Sequence, residues 1–379
     1  MMKKNPITLG LLSAVFALPA IGANVEGTSG DKASELAARL DIMPDVYGNV
    51  QMIYRNRDHE GFGGSDSQLT DFSYSTLGIQ NSHEIMPGVE AFGRLELEGF
   101  SPTEGQYGDA KANEGIEVDE AYIGLRGNFG EVWIGSDDSQ YEVLIGDYGD
   151  WYYEIGQANL FANFLTGEDD LIQYISPNFS GLTLHAVVQV DGQAERADGN
   201  SKYPFQLGAK YVMGDLTFAV AMDSNDAAAS NENTYGARVD WVVNDNLSFN
   251  TFYSGQKGDQ NLALGYETGQ TAAEYDPVDS FESFFTVADE TGLGEQLVGV
   301  MGIYTLGANR FTLSYEMEED DVKGADGAKR KSDAVTIQAM HNVSDSMYVY
   351  VEGLRRTDEE GSTYDSDYNE LSLGGVYLF

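Results

Sequence analysis

The sequence LSLGGVYLF at residues 371–379 decides the fold, because it is a full apolar strand at the end of the chain. Side chains alternate between the two faces of a strand, so one face holds five of these residues: Leu371, Leu373, Gly375, Tyr377 and Phe379. An apolar strand with an unpaired edge would be prone to aggregation. We therefore expect this strand to pair with the first strand, near Tyr47 to Tyr54, and to close a barrel.

Fifteen further segments upstream have the character of strands. The sixteen predicted strands are 45–56, 71–81, 89–100, 116–128, 130–138, 169–176, 182–191, 204–213, 216–223, 235–243, 247–255, 297–306, 311–317, 334–341, 346–355 and 369–379. Short connections such as 214–215 alternate with long polar ones such as 192–203. Each hairpin returns the chain to the same side of the sheet, so this sorting predicts an all-β fold, a 16-stranded antiparallel transmembrane β-barrel over residues 45–379.

Periodicity within the strands supports the same fold. Leu182, Leu184 and Ala186 alternate with Thr183 and His185, so one face of the strand is apolar and the other polar. In a wide barrel the apolar face meets lipid and the polar face lines water. A soluble sandwich would bury its apolar face too, but its connections would be short at both ends.

The N-terminus has the pattern of a secretory signal peptide. Lys3 and Lys4 precede an apolar run at 7–17, and small residues at 19–23 suit cleavage, so we assign residues 1–23 to the signal. Residues 24–44 are expected to form a short extension. Later in the chain no stretch of about 18 consecutive apolar residues predicts a membrane helix.

Composition excludes several classes of protein. The chain has no cysteine, which removes disulfide frameworks and thiolate sites. Its formal net charge is −41, which argues against a nucleic-acid partner and favours attraction to cations. The 44 Gly, 23 Tyr and 18 Phe suit a β protein with many tight turns.

The longest interruption early in the chain, residues 139–168, combines aromatic and acidic side chains. Tyr152, Tyr153 and Phe164 favour burial, whereas Asp147 and Glu154 favour water or a counter-ion. A segment folded into a wet cavity would satisfy both groups.

Several motifs together resemble the general porins of the Gram-negative outer membrane. They are YIGLRGNFG at 122–130 with Gly135, IQY at 172–174 followed by SPNFSG at 176–181, FGRLE at 92–96, and the terminal Tyr377-Leu378-Phe379, which resembles the family's assembly signal. They occur in the family's order and span nearly the whole mature chain. The resemblance implies a homotrimer of 16-stranded barrels in lipid and lipopolysaccharide, each passing small hydrophilic solutes and ions.

The resemblance also implies that the third external loop, which we assign to 139–168, folds inward and narrows the pore. Its acids would face arginines of the lumen, and Arg94 matches one such position. Thr76 and Ser136 stand where relatives often carry arginine, and the family's PEFGG loop motif is absent. The constriction is accordingly assigned to Asp147, Asp150 and Glu154.

Strand alternation predicts which charges face the lumen. Eight acids point inward, namely Glu90, Glu96, Glu98, Glu120, Asp240, Glu316, Glu352 and Glu370, against five bases, namely Arg55, Arg94, Arg126, Lys210 and Arg238. The loop adds acids and no base between Tyr141 and Asp170. At physiological ionic strength the screening length is about 8 Å, so these charges act across a narrow pore. We therefore expect a water-filled channel that prefers cations.

Three other functions are compatible with parts of the sequence: a sugar-specific channel, a hydrolase and a divalent-cation site. A sugar-specific channel could use the aromatic residues 151–153 as stacking surfaces. A hydrolase would need a histidine beside a nucleophile, and His185, the one histidine predicted to face inward, is expected to be only a solvated lumen residue. The acidic run 318–321 lacks the glycine turn of a calcium loop, so a solvated charge run is favoured over divalent bridging. The sequence thus predicts no catalytic residue, no cofactor and no metal.

Overall fold

The computed structural model describes residues 43–60, 64–71, 75–99, 116–149, 152–154, 164, 166–190, 203–225, 232–258, 294–323, 327–360 and 364–379. Within these ranges the strands are β1 (Asp45–Glu60), β2 (Gly64–Asp71), β3 (Leu77–Met86), β4 (Val89–Glu98), β5 (Glu117–Gly127), β6 (Gly130–Ser136), β7 (Leu171–Ile175), β8 (Leu182–Gln189), β9 (Phe205–Met213), β10 (Leu216–Asp223), β11 (Thr234–Asn244), β12 (Leu247–Gln256), β13 (Glu295–Leu306), β14 (Asn309–Asp320), β15 (Arg330–Ser344), β16 (Met347–Glu360) and β17 (Tyr364–Leu378). A helix, α1 (Gln140–Leu144), and a 3-10 turn (Gly146–Tyr148) lie between β6 and β7. The predicted signal peptide and most of the extension 24–44 fall outside the described residues.

The sheet closes on itself through its first and last strands. β17 pairs antiparallel with β1 from Leu378 opposite Asn49 to Asp367 opposite Glu60. Gly48 and Phe379 also exchange two backbone hydrogen bonds of 3.0 Å. Every other neighbouring pair is antiparallel too, so the predicted closed antiparallel barrel is confirmed.

The second of the sixteen predicted strands, 71–81, differs from the structure. Two segments build it, because β2 pairs with the outer part of β1 and β3 pairs with Asp45 to Gly48 at its inner end. The single predicted strand 71–81 is therefore wrong in its bounds. Between the two segments Ser75 and Thr76 still bond to β1, since Gln51 N–H donates to Ser75 Oγ and Asn49 N–H donates to Thr76 O, both at 3.0 Å.

Several strands also run further than their apolar residues suggested. The strands β14 to β17 extend well into the predicted connections 318–333 and 356–368. The ladder continues there because backbone hydrogen bonding needs no apolar side chain, and cross-strand charges support it. One such pair is Lys331 Nζ to Glu319 Oε2 at 2.8 Å.

The two faces of the barrel follow the predicted alternation. On β14, Phe311, Leu313 and Tyr315 are exposed, whereas Thr312 and Ser314 between them are buried. Tyr377 on the terminal strand likewise lies outside. The exposed face is thus apolar, as a lipid-facing surface requires. Among the described residues no helix has the length and apolar character to cross a membrane.

Candidate functional site

The segment between β6 and β7 enters the barrel through a capped helix. Ser139 caps α1: its Oγ accepts from Glu142 N–H, and the Glu142 carboxylate accepts from Ser139 N–H. This reciprocal capping box satisfies two N–H groups that a helix start otherwise leaves unpaired. The 3-10 turn then carries the chain onward. We call residues 137–154 of this stretch the inner segment.

Apolar side chains fasten the inner segment to the inside of the sheet. Ile145 and Tyr148 are 0% exposed and belong to one cluster with Phe252, Leu297 and Met301 of the barrel wall. The rings of Tyr148 and Phe252 lie 4.4 Å apart between centroids. Burial of this many large side chains gives the segment a hydrophobic core of its own. We call the part of the barrel wall that the inner segment covers the covered wall; it includes Gly208, Gly236, Phe252, Leu297 and Met301.

Glycines on the covered wall make this close approach possible. A Cβ on Gly236 would lie 2.7 Å from both Ile145 Cγ1 and the Tyr141 hydroxyl. A Cβ on Gly208 would lie 2.3 Å from Leu144 Cδ1. Such distances are shorter than any real contact, so the inner segment fits only because these positions lack side chains.

Hydrogen bonds continue the attachment around the barrel. Tyr141 N–H donates to Gln206 Oε1 at 2.7 Å on β9. Further on, the Tyr153 hydroxyl donates to Thr336 O at 3.0 Å on β15. Glu154 N–H donates to Glu352 Oε1 at 2.7 Å on β16. These bonds attach the segment to the inner face at β9, β15 and β16.

The far end of the inner segment meets an arginine that the sequence analysis missed. Arg310 Nη2 donates to Tyr152 O at 3.2 Å and to Gln338 Oε1 at 3.1 Å, and its guanidinium lies 5.5 Å from the centre of the Tyr152 ring. On β1, Gln51 Nε2 donates to Glu154 Oε2 at 3.0 Å. Arg310 stands one residue before the predicted strand 311–317, so continuing the alternation by one step would have found it.

The opposite part of the wall is charged. Arg94 Nη2 lies 2.6 Å from Glu96 Oε2, and Arg94 Nε lies 2.7 Å from Glu120 Oε2. Tyr47 bonds to both Arg94 and Glu96. We call these four residues the charged wall. The predicted inward positions of Arg94, Glu96 and Glu120 thus meet in one cluster.

Other residues predicted to line the pore lie in separate places. Arg126 pairs with Glu90 at 2.5 Å near a short turn, and Arg238 pairs with Asp240 at 2.9 Å. Arg55 lies 3.6 Å from Glu370, and Glu352 accepts from Glu154 N–H at 2.7 Å. The last three lie apart from one another: Glu316 is fully buried beside Tyr148, Glu98 is half-buried near Asp119, and Lys210 is half-buried near His185. Most inward bases therefore have an acid as neighbour, which a count of charges along the sequence did not reveal.

The strand extensions also add charges that the sequence count left out. On the inner face they place charges of both signs, among them the bases Arg310, Arg330 and Arg356 and the acids Glu295, Glu318, Asp320 and Asp358. The extensions therefore do not reverse the excess of acids on this face.

The three predicted constriction acids have different surroundings. Asp147 is buried within the 3-10 turn. Glu154 lies against β1 and β16, where burial raises the pKa of its carboxyl. Asp150 falls outside the described residues. The structure therefore brings Glu154 into contact with side chains of β1 and β16 and places Asp147 within the inner segment.

A second acidic group lies at the start of the inner segment and was not predicted. Carboxylate oxygens of Asp138, Glu142 and Glu168 all lie within 4.8 Å of one another. Burial, followed by these neighbouring acids and Asp147, raises the pKa of Glu142 to about 9. Burial also raises the pKa of Asp137 to about 6, although Trp133 Nε1 donates to Asp137 Oδ2 at 2.6 Å. Acids at 137 and 138 had been placed at the end of a strand, so only the helix cap could have signalled this group.

His185 joins the inner segment to β8. Its Nδ1 lies 2.5 Å from Gln140 Oε1 and its Nε2 lies 2.9 Å from Thr183 Oγ1. Both ring nitrogens are therefore engaged in contacts that position α1. His185 is buried, and the prediction that it is a solvated residue is wrong because α1 covers it.

Comparison with known proteins agrees with this geometry. A sequence profile of Gram-negative porins matches residues 12–362. The chain is 27% identical over 402 aligned positions to a monosaccharide porin of a Halomonas species and to the major outer membrane protein of Halomonas elongata, with 100% of both chains covered in each case. The trimer form of OmpT, an outer membrane protein of Vibrio cholerae, superposes with a TM-score of 0.61 at 14% identity, covering 89% of this chain and 99% of OmpT. A closed antiparallel barrel with an apolar exterior and a profile match over most of its length show that the chain belongs to the Gram-negative porins, channel proteins of the outer membrane.

Proposed function

We propose that the chain forms a water-filled diffusion channel for small hydrophilic solutes and ions, and that the channel prefers cations. One observation carries the preference. The inner segment contributes Asp137, Asp138, Asp147 and Glu154 to the barrel interior and contains no lysine or arginine, whereas Glu142, whose pKa is raised to about 9, is neutral at neutral pH. The narrowest part of the channel then has negative fixed charge that no base of the same segment offsets.

The wall opposite does not reverse this sign. Arg94 is shared between Glu96 and Glu120, so the charged wall carries one more acid than base. A cleft lined by one sign of charge with low-dielectric walls concentrates the opposite ion. The screening length of about 8 Å at physiological salt is comparable to the half-width of a narrow pore. The cation preference should therefore weaken as the salt concentration rises.

The test is the reversal potential of the purified protein in planar bilayers under a potassium chloride gradient. Wild type is expected to open stable conductances with a reversal potential of the cation-selective sign. Replacing the predicted constriction acids together, by Asp147→Asn, Asp150→Asn and Glu154→Gln, should move that potential toward zero while the barrel still assembles.

The outcomes separate the claims. Silent bilayers from folded protein would rule out the open channel. An anion-selective wild type would contradict the charge argument alone. An unchanged potential in the triple variant would remove these three acids from the constriction and would leave Asp137 and Asp138 as the source of the cation preference.

We further propose that the channel assembles as a homotrimer. The support is the superposition with OmpT, whose structure was determined in a trimer form. Crosslinking in detergent should yield a species of three chains that dissociates on heating. A species of one chain at all crosslinker concentrations would contradict the trimer.

A sugar-specific channel is the second candidate, and two observations favour it. One relative that covers the whole chain is a monosaccharide porin. The half-buried Tyr152 ring lies beside Arg310, with Gln338 and Glu352 next to them, a mixture of aromatic and hydrogen-bonding groups that suits a sugar ring. Tyr153 is buried and is not available for stacking. Saturable block of the ion current by glucose, weakened by Tyr152→Ala, would select this candidate over a non-specific pore.

A further inference from the structure

Three carboxylates meet at the ends of β13 and β14, on the side of the barrel with the long connections. Glu295 begins β13, and Glu318 and Asp320 stand near the end of β14. Ligand oxygens of the three side chains lie within 4.8 Å of one another, and all three residues are buried. The run 318–321 is therefore not the solvated charge run that the sequence suggested, because the strand continues and turns its alternate members inward.

Glu318 is the unexplained member of this group. It is only 6% exposed, and its Oε2 accepts no hydrogen bond from the described residues. A buried carboxylate without such bonds is costly, since it has lost its water and gained no donor. A carboxylate oxygen of Glu318 lies within 4.8 Å of oxygens of Glu295 and Asp320, so the three acids share one position that a positive ligand could occupy.

The nearby bases do not neutralise the group. Arg330 Nε pairs with Asp320 Oδ2 at 3.2 Å, and Arg356 Nη2 pairs with Asp358 Oδ1 at 2.7 Å. Lys329 and Lys331 both pair with Glu319, whose side chain is on the other face of the strand. Glu295, Glu318, Asp320 and Asp358 thus face two guanidinium groups, so the acids of this buried place outnumber its bases by two.

We propose that Glu295, Glu318 and Asp320 bind a hard divalent cation, with Ca²⁺ as the fitting ion. Ca²⁺ takes carboxylate oxygens at about 2.3–2.6 Å, so two oxygens on the same ion lie at most about 5 Å apart. The observed spacing of the three side chains meets that limit. One divalent ion also balances the two unmatched charges, which a monovalent ion would not.

A cation bound to these three acids would stabilise the end of the barrel that carries the long connections. Asp321, the next residue after the group, donates its N–H to Gly294 O at 2.9 Å, and its Oδ2 accepts from Gly258 N–H at 3.0 Å. Gly258 and Gly294 flank the long connection 259–293 on its two sides. An ion at the three acids therefore joins the start of β13, to which that connection returns, to the end of β14, whose next residue bonds to Gly258 where the connection begins.

The experiment is a calcium titration of the chelator-treated, detergent-solubilised protein by calorimetry, at fixed sodium chloride and neutral pH. We expect one saturable Ca²⁺ site per chain and a rise in thermal midpoint that sodium chloride of equal ionic strength does not reproduce. Glu318→Gln should weaken the Ca²⁺ affinity by at least about tenfold, the effect of removing one carboxylate ligand worth about 1.4 kcal/mol or more.

Glu319→Gln is the matched control, because Glu319 is adjacent in sequence but pairs with surface lysines. Its affinity for Ca²⁺ should equal that of wild type. Absence of saturable binding in wild type would overturn the proposal without any variant. Equal loss of affinity in both variants would also overturn it, since binding would then follow overall acidity. Asp320→Asn serves as a second ligand variant if Glu318→Gln does not fold.

Discussion

The covered wall and the charged wall are built from the same kind of strand but present opposite interiors. The covered wall turns Phe252, Leu297 and Met301 inward and packs them against the inner segment. The charged wall turns Arg94 and Glu96 inward and pairs them with each other. Where the inner segment covers the barrel wall, inward-facing positions thus include large apolar side chains that form a hydrophobic core with it, beside polar ones such as Gln206 that bond to it. Whether a strand turns apolar or charged side chains inward therefore depends on whether the inner segment packs against it.

Breaking the covered wall should have the largest effect. Ile145→Asp places a carboxylate at a fully buried position in the apolar cluster, at a cost of about 3 kcal/mol or more for an unpaired buried charge. We expect the inner segment to leave the wall and the single-channel conductance to rise well above that of wild type. Val143→Asp is the matched control, because Val143 lies two residues earlier in the inner segment and is 39% exposed, so the same charge added there should leave the packing intact and should not raise the conductance to the same extent. Equal conductance of both variants would mean that this packing does not set the pore size.

A milder substitution tests the fit between the inner segment and the covered wall. Gly236→Ala brings a Cβ to 2.7 Å from Ile145 Cγ1, and the overpacking should cost about 1–3 kcal/mol. We expect an intermediate rise in conductance with more current noise. Gly353→Ala adds the same methyl group at an ordinary 3.5 Å from Ile337 and should leave conductance unchanged. A quiet wild-type current from Gly236→Ala would show that the segment adjusts without moving.

A substitution in the charged wall should alter the ion selectivity of the channel and leave the pore size unchanged. Arg94→Gln removes the base that Glu96 and Glu120 share, so the interior gains one net negative charge. The reversal potential in a salt gradient is expected to shift toward stronger cation preference, with similar conductance. Arg355→Gln removes an equal charge from a pair with Asp367 whose arginine is exposed, and should shift the potential far less. A shift toward anions in Arg94→Gln would contradict the assignment of this wall to the pore.

The smallest expected effect is a dependence on pH at the start of the inner segment. The pKa of Asp137 is raised from its ordinary 3.8 to about 6 by burial, so this carboxyl is charged above and neutral below that value. Its contribution to folding stability is accordingly complete below its ordinary pKa and is lost as the pH rises through about 6. Cation preference, in contrast, should fall when the pH drops through the same range. Reversal potentials of wild type and Asp137→Asn across this range provide the measurement, and identical pH profiles would remove Asp137 as the titrating group.

The barrel could be predicted from the sequence because the alternation of side chains along a strand is a local pattern that repeats in every strand. Alternation along residues 182–190 and the apolar strand at 371–379 both follow from a period of two residues, and both are confirmed. Neighbours two apart on one face, such as Arg94 with Glu96, could also be paired from this period alone. The outer ends of β14 to β17 could not be placed from apolar residues, because there the ladder continues on polar ones.

The covered wall could not be predicted from alternation, since it depends on contacts between residues far apart in the chain. Phe252 and Gly236 look unremarkable in their strands, and only Ile145, Tyr148 and their neighbours explain them. A signal was nonetheless present, because strand 247–255 is apolar on both faces at Phe252. Such a strand in an otherwise alternating barrel indicates that something packs against its inner side.

The mutual hydrogen bonds of Gly48 and Phe379 have a consequence for the order of folding. The first strand, β1, has its partner, β17, at the other end of the barrel sequence. Contacts between residues so distant in sequence form slowly, since the whole intervening loop must be closed. During this time the open edges of the sheet invite pairing with other chains. The unfinished barrel therefore needs protection until its last residue has arrived, and closure is the final step of its assembly.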